Sequence, residues 1–363
     1  MTTRHDVALL RLVAQRVAGP PDPDPLAVVR RLGAVQAQDL PGAVTSVALR
    51  TAGRDRGDVL AALDAGAVVR TWPMRGTLHL VPADDVRWML ALMTSRPRAA
   101  AATRRRQLDL TEDHLARARD VVVGALRGGG RATRAQLLGL WEEGGVPVDA
   151  GRGYHVLAHL AQTGVLVLGP TVGDSRRTAA TGAAEQAVVL LDEWVPATAG
   201  PDDDAAAARL AVTYFRGHGP ATVPDLARWS GLPLGTVRRG LAAVAGELTT
   251  ITVEGAVLHL DPATLALLDQ HRDAARGVHL LPGFDEVVLG YADRSVTVPV
   301  EHAARIVPGN NGMFRATVLA EGVVVGTWRA STRGGVRQVE VEPFTELAPS
   351  VAEAVPGAAA RLP

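Results

Sequence analysis

Cysteine and lysine are both missing from this 363-residue sequence. Without cysteine there are no disulfides, no zinc–thiolate or iron–sulfur centres and no thiol nucleophile. Without lysine, all 38 basic side chains are arginines, a pattern that GC-rich coding produces. The chemical consequence holds whatever the cause. No side-chain amine can form a Schiff base, so amine-dependent lyase or aldolase chemistry is confined to the N-terminal amine. A GxxxxGK[ST] phosphate loop cannot be written either. Aromatic residues are only 4% of the chain, which argues against a stacking cage around an extruded base. No apolar run reaches the ~18 residues of a membrane span. The first ten residues carry Arg4, His5 and Asp6 and lack the apolar core of an export signal. A cytoplasmic location is therefore expected.

Net charge is also absent, with 38 acids against 38 bases. The distribution says more than the total. Acids gather at Asp202-Asp203-Asp204 and Glu142-Glu143, and bases at Arg104-Arg105-Arg106, Arg176-Arg177 and Arg238-Arg239. A neutral molecule with one basic face is compatible with this pattern. His155 and His159 stand at the i, i+4 spacing of two ligands on one helix face, but no HExxH and no third ligand accompany them. No metal and no cofactor are expected.

With 47% hydrophobic and 21% charged residues the chain is globular, and its length suggests several compact units. The clearest covers 205–265. A helix over 205–215 ends at Gly217 and Gly219, and Thr222 caps a short helix over 225–229. Gly231-Leu232-Pro233 breaks the chain before a third helix over 234–244. The runs 249–253 and 256–260 flank Glu254-Gly255 as a hairpin. Three helices and a hairpin make a winged helix, with Arg238 and Arg239 on the recognition helix.

A second copy is expected over 101–175: helices at 115–126, 134–141 and 154–162, then a strand at 165–168. A first copy is expected over 1–100: helices at 7–17 and 26–35, then strands at 67–72 and 76–81 around Pro73-Met74-Arg75. The repeat is about 100 residues and lies in architecture, not in sequence. The segment 176–204 reads as a linker with a polar loop at 176–182. Over 266–348 the signal turns to β, with strands at 314–319, 323–328 and 336–341 and turns at Glu321-Gly322 and Gly334-Gly335. The Ala/Pro-rich tail 349–363 is expected to be loosely held. The fold class is thus α+β: three tandem winged helices followed by an antiparallel meander.

Three stretches carry a family resemblance: Ala34-Val35-Gln36-Ala37-Gln38-Asp39, then Val69-Arg70-Thr71-Trp72-Pro73-Met74-Arg75-Gly76-Thr77-Leu78-His79-Leu80, then Leu280-Leu281-Pro282-Gly283-Phe284-Asp285-Glu286. Tyr291, Arg294 and Gly326-Thr327-Trp328-Arg329 follow in order. Together they resemble the winged-helix DNA glycosylases of the AlkZ/YcaQ type over nearly the whole chain. The resemblance implies a C-shaped protein curved around double-stranded DNA. It also implies hydrolysis of N-glycosidic bonds of N7-alkylated purines, crosslinked ones included. The family's catalytic element is a Gln-aliphatic-Gln or Gln-aliphatic-Asp triplet, which Gln36-Ala37-Gln38 matches.

The residues themselves permit that chemistry. An N7-alkylated purine is cationic and leaves without protonation, so water must be held and a sugar cation stabilised. A carboxamide can orient water but is no base at neutral pH. Asp39 is the nearest carboxylate and the rival base. In an extended segment Gln36 and Gln38 share a face and Asp39 points away; in a helix the pair would diverge. Pro41 disfavours helix at Leu40 and suggests a break there. Arg70 and Arg75 flank a hairpin tip and could clamp phosphates or pair with structural carboxylates. Arg329 and Arg333 could reach phosphates from the meander, or simply close its sheet. Trp72 and His79 read as packed residues. Two other functions remain open at this point: a non-enzymatic winged-helix regulator or lesion-binding protein, and a nucleosidase, which would need paired carboxylates in a deep pocket.

Overall fold

The computed structural model describes residues 2–173, 185–197, 199–333 and 336–363. The loop expected at 176–182 lies outside them. Helices and antiparallel strands alternate along the chain, and three successive stretches each run three helices into a strand pair. In the first, Pro25–Leu32, Leu40–Leu49 and Arg56–Asp64 precede β2 (Val68–Met74) and β3 (Thr77–Pro82), with the short β1 (Val35–Gln36) after the first helix. In the second, Glu112–Leu126, Arg134–Glu143 and Arg152–Gln162 precede β4 (Leu166–Thr171) and β5 (Gln186–Leu190). In the third, Asp203–His218, Val223–Ser230 and Leu234–Ala243 precede β6 (Thr249–Val253) and β7 (Ala256–Leu260). The starts are set locally. Asp24, Asp55, Thr111, Thr133, Asp202 and Thr222 each accept a first-turn backbone N–H, and the three threonines close capping boxes.

The first two stretches do not keep separate sheets. Their strands join in the order β1-β3-β2-β4-β5, all neighbours antiparallel, with Arg70 in register with Leu168 where β2 meets β4. The helices Leu40–Leu49 and Arg56–Asp64 were not expected. Both cover this sheet, packing Leu40, Val44, Val47, Leu60 and Leu63 against Val35, Val68 and Leu80. Leu40–Leu49 is buried nearly all round, so it has no polar face and no helical period to read.

That cover leaves no place for the N-terminal helix, Arg4–Ala14, which was expected inside the first unit. Its Leu9, Leu10, Leu12 and Val13 pack instead with Leu268, Leu281, Val287 and Val288 of the C-terminal region. The helix expected over 26–35 stops at Leu32, because Gly33 takes a left-handed φ of 75° and turns the chain into β1.

The C-terminal sheet has the order β11-β10-β9-β8, built from β8 (His279–Leu281), β9 (Thr317–Ala320), β10 (Val323–Arg333) and β11 (Val336–Pro343). β9 starts later than expected because Phe314 turns its ring toward Phe284, 5.9 Å away. The tail also differs from expectation. Residues Pro349–Ala360 form a helix, and Ala358 and Leu362 are buried against Val278, Leu280 and Val318. Val351, Val355, Ala358 and Leu362 recur every three or four residues, the stripe that docks a helix on a sheet.

Candidate active site

The Gln36-Ala37-Gln38 triplet runs off the edge of the five-stranded sheet. Gln36 ends β1 opposite His79 of β3. One residue further on, Ala37 N–H donates to the Leu78 carbonyl at 2.8 Å. The chain then leaves the ladder, and the Gln38 side chain replaces the backbone: Gln38 Oε1 accepts the Leu78 N–H at 3.1 Å. Gln36 Oε1 turns along the chain and accepts the Gln38 N–H at 3.2 Å. The two glutamines therefore do not open together on one face. Gln36 is buried at 6% exposure while Gln38 is exposed. Each amide oxygen keeps a second lone pair, and of the two residues only Gln38 is exposed.

The helix Leu40–Leu49 begins immediately afterwards. Pro41 sits in its first turn, where the missing N–H costs nothing, so the break falls at Asp39 (φ −97°, ψ 99°) and Leu40 is already helical. The exposed Asp39 carboxylate folds back over this helix start. A Cβ on Gly42 would lie 2.5 Å from Asp39 Oδ2, so a side chain there would push the carboxylate aside. A carboxylate at a helix N-terminus is favourably placed against the helix dipole.

Arg70 reaches beneath the triplet rather than out to solvent. Its Nε donates to the Ala37 carbonyl at 2.9 Å and its Nη1 to Gln186 Oε1 at 3.0 Å. Burial draws it down to about 10, with Asp39 opposing, so it stays charged at neutral pH. Arg75 occupies the two-residue turn between β2 and β3 with Gly76, both at positive φ. Its Nη2 lies 3.1 Å from His79 Nε2, and His79 Nδ1 lies 2.9 Å from the Thr77 carbonyl. That pattern fixes a neutral imidazole with Nδ1 protonated. Burial, and then the Arg75 charge, bring His79 down to about 3. His79 is therefore neither acid nor base here. Trp72 is buried and meets Tyr154 edge-on at 6.2 Å.

Two acids behind the triplet were legible in the sequence only as part of a motif. Glu286 is fully buried. Its Oε1 accepts the Gln36 N–H at 3.1 Å; its Oε2 accepts the Trp229 indole N–H at 3.0 Å and lies 3.4 Å from His218 Nε2. Burial pushes its carboxyl up, but the hydrogen bond and charge of His218 and the Arg75 guanidinium outweigh that and hold it below the usual carboxylate range. Asp285 forms a two-pronged pair with Arg50 at 2.8 and 2.9 Å and accepts Ser46 Oγ at 2.7 Å. Arg50 also donates to Gln15 O, and Gln15 Nε2 donates to Tyr291 OH at 3.0 Å. An adjacent acid pair inside the apolar run from Leu280 to Leu289 was the available signal. Nothing in the sequence marked His218.

Five guanidiniums among the described residues share a property. Arg56, Arg70, Arg75, Arg96 and Arg294 donate to Thr45 Oγ1, Ala37 O, His79, Gly231 O and Val288 O respectively. Among the described residues none of them lies within ion-pair distance of a carboxylate. They are held in place by neutral acceptors and not by direct ion pairs. Arg238 and Arg239 are exposed on their helix, Arg239 lying 3.5 Å from Asp204. Arg329 pairs across the strands with Glu340 at 2.6 Å. No described hydrogen bond links these three to the triplet. The side chain of Arg333 lies outside the described residues.

The site thus joins two neutral amides at a sheet edge with arginines held by neutral acceptors. The comparisons with known proteins name the class. The AlkZ-like DNA glycosylase family model matches residues 29–363, and the chain belongs to that family, whose members hydrolyse N-glycosyl bonds in DNA. It is 30% identical to an interstrand DNA cross-link repair glycosylase of Streptomyces sahachiroi over 326 residues, 83% of this chain and 81% of the relative. It is also similar to the solved structure of Streptomyces sahachiroi DNA glycosylase AlkZ, with a TM-score of 0.79 and 28% identity over 99% of this chain and 95% of that one.

Proposed function

We propose that this enzyme hydrolyses the N-glycosidic bond of N7-alkylated purines in duplex DNA, crosslinked purines included, and leaves an intact abasic site. The observation that carries this is the exposed Gln38, with Arg70 donating to Ala37 beside it and Arg75 to His79, neither within ion-pair distance of a described carboxylate. The alkylated base departs with the C1′–N9 bonding pair and becomes neutral. A water oxygen held by Gln38 bonds to C1′, and its surplus proton passes to Asp39 or to solvent. The three helix-and-strand stretches read as tandem winged helices curved around the duplex. Arg70 supports the triplet from below; Arg75, Arg238, Arg239, Arg329 and Arg333 are assigned to phosphates, and the paired Arg329 would exchange Glu340 for one.

The test is a duplex carrying a single N7-methylguanine. Release of the base with an unbroken strand is expected. Borohydride should trap no adduct once the N-terminal amine is blocked, because no lysine exists to form an imine. A trapped side-chain imine, or no base release at all, would sink the proposal. DNA affinity gives a separate check. If these five arginines neutralise phosphates, log Kd should change with log[salt] with a slope of about 4.5. Binding indifferent to salt would count against the interface.

A further inference from the structure

The glycosylase reaction builds positive charge on the sugar, yet the triplet offers only neutral amides. Asp39 is exposed, and solvent screens its field. We propose that Glu286 is the positioning residue of this site: its carboxylate fixes the Gln36 backbone amide and sets a negative charge behind the triplet, on the side where the sugar cation forms. This rests on the glycosylase function proposed above.

The geometry supports both parts. Glu286 Oε1 takes the Gln36 N–H at 3.1 Å, so the strand end is held by a carboxylate instead of a backbone carbonyl. Gln36 in turn passes its own Oε1 to the Gln38 N–H. Two hydrogen bonds thus connect the buried charge to the residue that faces solvent. Glu286 Oε2 is gripped by Trp229 and His218, both fully buried, so the carboxylate cannot swing away. At zero exposure its field reaches the triplet through protein and not through water, where a fixed charge acts most strongly on charge that develops only in the transition state. The preceding residue, Asp285, grips Ser46 in the helix that follows the triplet and Arg50 at that helix's C-cap. Adjacent acids therefore fix the chain on both sides of Gln38.

The experiment compares single-turnover base release, duplex affinity and melting temperature for Glu286→Gln, Glu286→Asp and Trp229→Phe, with Gln38→Ala alongside. Glu286→Gln keeps an oxygen for the Gln36 N–H but loses the charge. Its release rate should fall roughly 10²-fold with affinity unchanged. Glu286→Asp keeps the charge one methylene further back and should recover part of that loss. Trp229→Phe, which keeps the charge and the Gln36 contact but frees one grip on Glu286 Oε2, should lose clearly less than Glu286→Gln. A wild-type rate in Glu286→Gln overturns the proposal, and so does an equal loss in Trp229→Phe, which would show a packing role only. Should Glu286→Gln not fold, Glu286→Asp carries the test: an undiminished rate there overturns the proposal. If wild type releases base and Gln38→Ala does not, an unaffected Glu286 series defeats this inference alone. If wild type releases none, the function on which it rests has failed.

Discussion

Asp285→Ala should cost about 3–5 kcal/mol of unfolding free energy, because it leaves the Arg50 guanidinium buried without its counter-charge. Both side chains of this pair have zero exposure. Arg50 cannot reach water from there. Its other acceptors, Gln15 O, Gln15 Oε1 and the Ser46 oxygens, carry no charge. Asp285 would in addition abandon the N–H of Val287 and the hydroxyl of Ser46. Arg50→Ala should cost a similar amount by stranding the carboxylate. The double variant Arg50→Met/Asp285→Leu should recover much of the loss, since removing both charges removes the desolvation penalty as well. Urea unfolding of the four proteins makes the comparison. Single variants within ~1 kcal/mol of wild type, the range of ordinary substitutions, would show that the pair contributes no more than surface ion pairs do.

That pair also shows where sequence reasoning ends. Capping threonines, the breaks at Gly219 and Gly231 and the Glu254-Gly255 turn act within a few residues. The third stretch could therefore be drawn from the sequence nearly to its observed bounds, β6 and β7 included. What could not be read depends on partners hundreds of residues away. Leu40–Leu49 hides because every side of it is covered, and burial all round erases the period that marks a helix. The N-terminal helix has an apolar stripe, but a stripe does not say which surface it meets, and it meets residues near 268–288. The sheet shared by the first two stretches rests on one register match, Arg70 with Leu168. At the site, the glutamine triplet was legible as a motif. Its support from Glu286 and Arg70 was not, since a carboxylate 250 positions away leaves no local pattern. Arg70 looked like a surface clamp because hairpin arginines usually face solvent; the strand pairing with β4 turns it under the triplet instead.

Gln38→Ala should abolish or severely reduce base release while leaving duplex affinity nearly unchanged, because an amide that orients water acts on the transition state and not on bound DNA. The substitution also deprives the Leu78 N–H of its acceptor, a loss of about 1 kcal/mol of stability, far too little to mimic inactivation in a folded protein. Gln38→Glu separates the two effects, since it retains an oxygen for Leu78 and should keep the fold intact. Asp39→Asn tests the rival assignment. If Asp39 takes the proton from water, its loss should cost roughly 10²–10⁴-fold, the usual scale of acid–base catalysis, and Gln38 would matter less. Where the leaving base is already cationic, however, water attacks a sugar close to a free cation and needs little deprotonation. Orientation by Gln38 should therefore dominate, with Asp39→Asn the milder variant. Gln36→Ala should fall between them: the buried Gln36 oxygen holds the Gln38 N–H and touches no solvent. Single-turnover rates, affinities and melting temperatures for the four variants decide the order. If all four keep the wild-type rate, the triplet is only the end of a strand, and catalysis must be sought elsewhere on the molecule.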